Sequence, residues 1–176
     1  DKLITELLDA GVIVPEKEPT AWVSPAHFVA KPGGQKVRLV TDYRVLNTTI
    51  ERPVHPFPSA KDLIQRIDPK SKVFAKIDAI HGYFQIPLDE ESSKLTTFLL
   101  PSGRYRYKSA PMGLCASSDE FCRRTDEAFQ GLPWFLKIVD DGLIQAPNLT
   151  ILKERIRIIL ERCRTAGIKI SCSKLD

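Results

Sequence analysis

Asp140 and Asp141 stand side by side and are followed by Gly142, between two short apolar runs, Leu136–Val139 and Leu143–Ile144. Adjacent carboxylates repel, and a turn built only for stability has little reason to pair them. A divalent cation would remove that cost, because hard cations take oxygen ligands. Asp-Gly between β-formers is a hairpin signal, glycine accepting the positive φ of a tight turn, so both carboxylates are expected at a hairpin tip. The alternative at this point is a solvated Asp-Asp-Gly turn with no chemistry. A third carboxylate, Asp78, closes the strand-like run Val73–Asp78. If the end of that strand lies beside the hairpin tip, three carboxylates could hold two Mg²⁺ ions about 3.5–4 Å apart, an arrangement suited to phosphoryl transfer.

The elements that must position these groups follow from pattern. Leu3, Ile4, Leu7 and Leu8 keep helical spacing, and Gly11 is a C-cap. A strand over 12–14 ends at Pro15, and residues 15–25 are an extended loop. Strands at 27–31 and 36–41 form a hairpin across Pro32-Gly33-Gly34, with Lys31, Lys36 and Arg38 on its tip and faces. Pro53, Pro56 and Pro58 mark a second extended connector, and a helix starts near Ser59. After Asp78, residues 89–94 read as a polar turn or short helix. A second hairpin joins 96–100 to 104–109. An amphipathic helix over 116–129 presents Phe121, Cys122, Thr125, Ala128 and Phe129 on one face. Asn148 or Thr150 caps a helix of about four turns with Leu152, Ile156, Ile159 and Cys163 as its stripe and Lys153, Arg155, Arg157, Arg162 and Arg164 on its outer faces. Gly167 ends it and a strand restarts over 168–172. The class is α+β, with an antiparallel sheet backed by helices in the second half.

Composition narrows the options. The 176 residues are 43% hydrophobic and 27% charged, ordinary for a globular chain, with a net charge of +4 that permits a polyanionic partner without requiring one. No apolar run approaches a membrane span. The four cysteines show no C-x-x-C spacing and read as reduced core residues of an intracellular protein; the three scattered histidines give no zinc site.

Several ordered motifs now carry a resemblance: the opening A-G-V-I, W-V-S-P, V-R-L-V-T-D-Y-R-V-L-N, F-A-K-I-D-A-I-H-G-Y-F-Q-I, A-P-M-G-L and I-V-D-D-G-L-I. Together they resemble the fingers and palm of reverse transcriptases, most closely those of gypsy-type long-terminal-repeat retrotransposons and their retroviral relatives. The resemblance implies a right-hand polymerase fold. Residues 1–72 are expected as fingers with extended connectors, and 73–88 as palm with the first catalytic strand and gate segment. Residues 89–110 are expected as the second fingers hairpin, and 111–176 as palm with the Asp-Asp hairpin. The thumb is expected to be absent. The chain stops at Asp176 without a closing element and reads as a piece of a longer protein.

By the same resemblance, Asp78, Asp140 and Asp141 are metal ligands and catalytic residues, with the Ala79 carbonyl helping to hold a metal. The cofactor is two Mg²⁺ ions, with Mn²⁺ as the alternative. Arg38 and Lys31 contact the triphosphate. Arginine suits that task because its fork of donors matches phosphate oxygens. Tyr83 closes the site under the sugar and excludes a ribose 2′-hydroxyl. Met112 and Gly113 line the nucleotide pocket. Asp42 and Arg44 are expected as a structural pair.

The implied partners are an RNA or DNA template with primer, dNTPs and the rest of a Pol polyprotein (thumb, connection, RNase H), with no membrane. The implied place is an intracellular, cytoplasmic retroelement particle. One departure stands out: Ile138 occupies the position where the family has tyrosine in Y-x-D-D, which bears on primer contacts more than on metal binding. The activity implied is RNA-directed DNA synthesis. The competing readings are a catalytically decayed or truncated nucleic-acid-binding remnant and a two-metal phosphodiester hydrolase.

Overall fold

The structure is a computed structural model that describes residues 2–30, 33 and 37–171. It separates into two compact units, each made of two stretches of chain: Asp1–Arg52 with Tyr83–Ser117, and Pro53–Gly82 with Ser118–Asp176. The chain therefore crosses between units after 52, 82 and 117. The His55 amide donates to Asp119 Oδ1 at 3.1 Å, and the buried Gln145 accepts from the Asp68 amide at 2.8 Å. Both contacts tie residues 53–72 to the second unit.

The first unit is built on a five-stranded sheet in the order β1-β6-β5-β2-β3. Its strands are β1 (Ile13–Pro15), β2 (Ser24–Ala30), β3 (Val37–Thr41), β5 (Phe98–Leu100) and β6 (Gly103–Tyr107). The two expected hairpins are present as β2–β3 and β5–β6, and a short parallel pairing of Ser24 with Phe98 and Pro25 with Leu99 joins them. Helix α1 (Lys2–Asp9) ends at Gly11, whose φ of +66° supports the expected C-cap. A four-residue helix α2 (Arg44–Asn47) is too short to show a period in the sequence. Helix α4 (Glu90–Leu95) takes Asp89 as its N-cap. Ile4, Ile13, Tyr43, Leu46, Phe98 and Tyr107 form the core, and the Tyr43 hydroxyl donates to the Thr96 carbonyl at 2.9 Å. Burial pushes both the Tyr43 and the Tyr107 phenols up, the latter to about 12.

The second unit carries a three-stranded antiparallel sheet, β4 (Val73–Asp78), β8 (Asp141–Ala146) and β7 (Phe135–Ile138), with β8 in the middle. Helix α3 (Ala60–Gln65) starts in a capping box between Ser59 and Asp62. Helix α5 (Cys115–Ala128) buries Phe121, Cys122 and Thr125, the face expected of it. Helix α6 (Leu149–Ala166) runs five turns rather than four, from an Asn148 cap that accepts the Ile151 amide at 3.0 Å to Gly167 at φ +69°. It buries Leu152, Ile159 and Cys163 against Ala75, Ile77 and Ile144. Burial raises the Cys163 thiol to about 11, which keeps it inert. Arg155 does not belong to the solvated outer face: its guanidinium donates to the Gln145 carbonyl and lies 5.1 Å from the Trp134 ring centre. Beyond α6 the described part of the expected strand, 168–171, holds a single bridge, Ile170 opposite Ala79, and residue 172 lies outside the described residues. No helix among the described residues is long and apolar enough to cross a membrane.

Candidate active site

Strand β4 ends where β8 begins. Asp78 and Asp141 are directly opposite in the β4–β8 register, with Ile77–Gly142 on one side of them. On the other side the Ala79 amide donates to the Asp140 carbonyl at 3.1 Å. The Asp78–Asp141 pair is thus a non-hydrogen-bonded one, the closer of the two antiparallel kinds, with Cα atoms about 4.5 Å apart and side chains on the same face. Like charges placed so are destabilising. Pairing across strands, more than sequence adjacency, is what brings two of the three carboxylates together. The end of β4 is braced on its other edge: the Ser171 amide donates to the Asp78 carbonyl at 2.8 Å, and the Ile80 amide to that of Lys169 at 3.0 Å.

The turn differs from the expected one. The loop between β7 and β8 is Val139–Asp140, and the residue with positive φ is Val139, at +53°, not Gly142. A β-branched side chain is disfavoured there, so the tip is strained. Gly142 lies inside β8 for a packing reason. A Cβ on it would sit 2.5 Å from Phe135 Cζ and 2.9 Å from Ile77 Cγ1. The glycine lets the Phe135 ring cross the middle strand, where it meets Phe129 edge-on at 4.7 Å between ring centres. Asp141 is accordingly the first residue of a strand, and of the two aspartates Asp140 is the one in the turn.

The carboxylates do not form a ready-made cage. Among the described residues, no three His, Cys, Asp or Glu side chains converge on one point suited to a metal ion. Asp141 Oδ1 is 3.0 Å from Lys76 Nζ, which turns it toward the lysine. Ala79 is buried, and its amide donates to the Asp140 carbonyl, a bond that does not engage the Ala79 carbonyl expected as a ligand. The donor chemistry still suits a hard cation, since every group offered is an oxygen and two of them repel. Ile138 is 41% exposed and directly opposite Asp141, so an apolar side chain borders the carboxylates on their own face.

The other expected residues lie in the first unit. Arg38 is exposed on β3, opposite Val29. Lys31 lies outside the described residues. Tyr83 sits half-buried in a single 3-10 turn, Gly82–Gln85. Gly82 is required there because a Cβ would meet the Phe121 ring at 2.9 Å. Met112 is 51% exposed, so it fills no core. Gly113 adopts φ +90°, and its carbonyl accepts from Asn47 Nδ2 at 2.9 Å, while Asn47 Oδ1 accepts the Cys115 amide at 2.9 Å. Asn47 thereby pins the 111–115 loop to α2, a role with no local signature in the sequence. Asp42 and Arg44 do form their ion pair, at 2.7 Å, and the hydrogen bonds from Arg44 hold the Asp42 carboxyl down at about 2.

Comparison with known proteins now fixes the class. A family model described as reverse transcriptase (RNA-dependent DNA polymerase) matches residues 29–176. The enzymatic polyprotein of Cauliflower mosaic virus (strain Strasbourg) is 35% identical over 178 residues, covering 99% of this chain and 26% of the relative. The retrovirus-related Pol polyprotein from transposon 297 of Drosophila melanogaster is 31% identical over 179 residues, covering 98% of this chain and 17% of the relative. Among solved structures, a foamy viral protease–reverse transcriptase in complex with RNA/DNA hybrid superposes with a TM-score of 0.87 at 21% identity, covering 98% of this chain and 23% of the other. The chain belongs to the reverse transcriptase (RNA-dependent DNA polymerase) family. Its fold is the mixed α+β arrangement of the foamy viral enzyme, and it spans about a quarter or less of the length of these relatives.

Proposed function

We propose that this chain carries the nucleotidyl-transfer centre of an RNA-directed DNA polymerase encoded in a Pol polyprotein. The observation that carries the proposal is the pair Asp78–Asp141, held opposite each other at a close cross-strand position with Asp140 next in line. The first unit would serve as fingers and the second as palm.

Asp78, Asp140 and Asp141 would hold two Mg²⁺ ions. When bound, such ions make a primer 3′-hydroxyl more acidic and offset charge on the triphosphate. The protein's own groups do the rest. Arg38, with Lys31, would bind the β- and γ-phosphates of a dNTP through charge-assisted hydrogen bonds. Tyr83 would pack against the sugar and leave no room for a 2′-hydroxyl. The 111–115 loop, pinned by Asn47, would border the nucleotide. Specificity would come from base pairing with the template, so protein contacts should fall on backbone rather than base edges. The RNA/DNA hybrid bound by the foamy viral enzyme supports a template–primer of that kind as the partner. An intracellular, cytoplasmic site of action, in a retroelement particle, belongs to the same proposal.

The test is primer extension on an RNA template with Mg²⁺ and dNTPs, using the polyprotein that contains this segment. Asp78→Asn should lower extension by more than about 100-fold, since loss of a mere supporting partner of a metal ligand already costs 10- to 100-fold. Retained activity would sink the metal assignment. Template–primer binding without extension by the unaltered protein would instead indicate the decayed form. Phosphodiester cleavage independent of dNTPs would indicate the hydrolase. Tyr83→Val should admit ribonucleotides; unchanged discrimination would remove the gate role.

A further inference from the structure

The face of the three-stranded sheet turned away from α6 carries Phe74, Lys76 and Asp78 on β4, Asp141 and Leu143 on β8, and Ile138 on β7, while Leu136 and Gln145 on the same face are buried. Lys76 is the one cation that these strands place on that face among the described residues; Lys137, on the opposite face, is paired with Asp126 at 3.0 Å. Lys76 pairs with Leu143 and is therefore diagonal to Asp141, within reach of a long side chain. Its ammonium takes up that position, 3.0 Å from Asp141 Oδ1, with both side chains about half exposed. Asp141 thus has two neighbours of opposite effect. Asp78, straight across, repels it, and Lys76, on the diagonal, attracts it.

From this geometry we propose that Lys76 is a resident counter-ion for the carboxylate pair, a positioning residue that acts through Asp141. It neutralises Asp141 while no divalent cation is present and must give it up when one binds. Lys76 then sets the divalent-ion concentration at which the site fills. The proposal rests on the reading that Asp78 and Asp141 bind the metal, and it adds a competitor that the motif alone does not contain. The lysine cannot share Asp141 with a divalent ion at no cost, because two cations would then meet at one carboxylate. The pair is exposed, so the competition is modest and salt-dependent.

The experiment measures Mn²⁺ binding to this chain by electron paramagnetic resonance of the unbound ion, at low salt. It compares the unaltered chain with Lys76→Met, Lys76→Arg and Asp78→Asn, each first checked for a cooperative thermal transition. Lys76→Met keeps most of the aliphatic length and removes the charge. It should bind Mn²⁺ about two- to fivefold more tightly, the equilibrium equivalent of one exposed ion pair. Lys76→Arg should stay near the unaltered chain, and the gain in Lys76→Met should shrink as NaCl is added. Equal or weaker binding by Lys76→Met, with binding still lost in Asp78→Asn, overturns the role of Lys76 and leaves the metal site standing. No binding by any folded form overturns both.

Discussion

Replacing Gly142 by alanine tests the packing of the site most directly. The added Cβ would lie 2.5 Å from Phe135 Cζ, 2.7 Å from Phe135 Cε2 and 2.9 Å from Ile77 Cγ1. Carbon atoms pack best at about 3.5–4.0 Å, so the ring must retreat by roughly 1 Å or the strand must bow. Neither movement is easy. Phe135 is edge-on to Phe129, Ile77 is buried, and Gly142 is paired with both Ile77 and Lys137 in the ladder. Overpacking of this kind costs about 1–3 kcal/mol, and we expect the upper half of that range. With a urea m-value of about 2 kcal/mol/M, the midpoint should fall by roughly 1 M with the slope unchanged. Phe135→Leu in the same chain should restore part of the loss, giving a favourable coupling in a double-mutant cycle. A midpoint for Gly142→Ala within about 0.2 M of the unaltered chain, or simple additivity with Phe135→Leu, would refute the packing account.

Two further predictions concern the first unit's loop and the surface of α5. Asn47→Ala should destabilise by about 1–2 kcal/mol and speed hydrogen exchange at the Cys115 amide. Asn47→Asp should keep that amide protected while losing the bond to Gly113, and equal exchange in all three forms would remove the clamp. Glu120 lies 2.8 Å from Arg123 and 2.6 Å from Arg124, and chiefly the Arg123 hydrogen bond holds its carboxyl down at about 2, below the ordinary 4.5. Its contribution is complete above 4.5 and is lost as pH falls toward 2, so the Tm advantage over Glu120→Gln should drop by roughly half between pH 7 and pH 3. A pH-independent difference would show that the pair adds nothing through charge.

Local pattern revealed most of the elements. The alternation in Val73–Asp78 marks a strand whose ends match the structure, and the stripes on α5 and α6 are the buried ones. Asp78 and the Asp140–Asp141 doublet stand out because carboxylates at strand ends need a reason. The rest was hidden because it depends on partners distant in the chain. Gly142 looked like a turn residue, since Asp-Gly has that meaning locally, while its true constraint is a ring on β7. Val139 carries the positive φ although its side chain argues against it. Lys76 reads as one more solvated lysine until the register places it diagonal to Asp141. The parallel contact of Ser24 with Phe98 merges two hairpins into one sheet and leaves no local trace.

The interleaving of the two units has a consequence for how the protein is made. As the chain leaves a ribosome, β2 and β3 can pair at once, but Ile13 must wait for Tyr107 and Asp78 must wait for Asp141. Neither core can close before the second stretch of its unit has emerged, so apolar strand edges stay uncovered during much of synthesis, an invitation to aggregation or chaperone capture. A single protease cut at the 82/83 crossing would yield two pieces, each holding one of the two stretches of each unit. Neither piece could bury its core alone, and recovery of the facing carboxylates would require the two to find one another again.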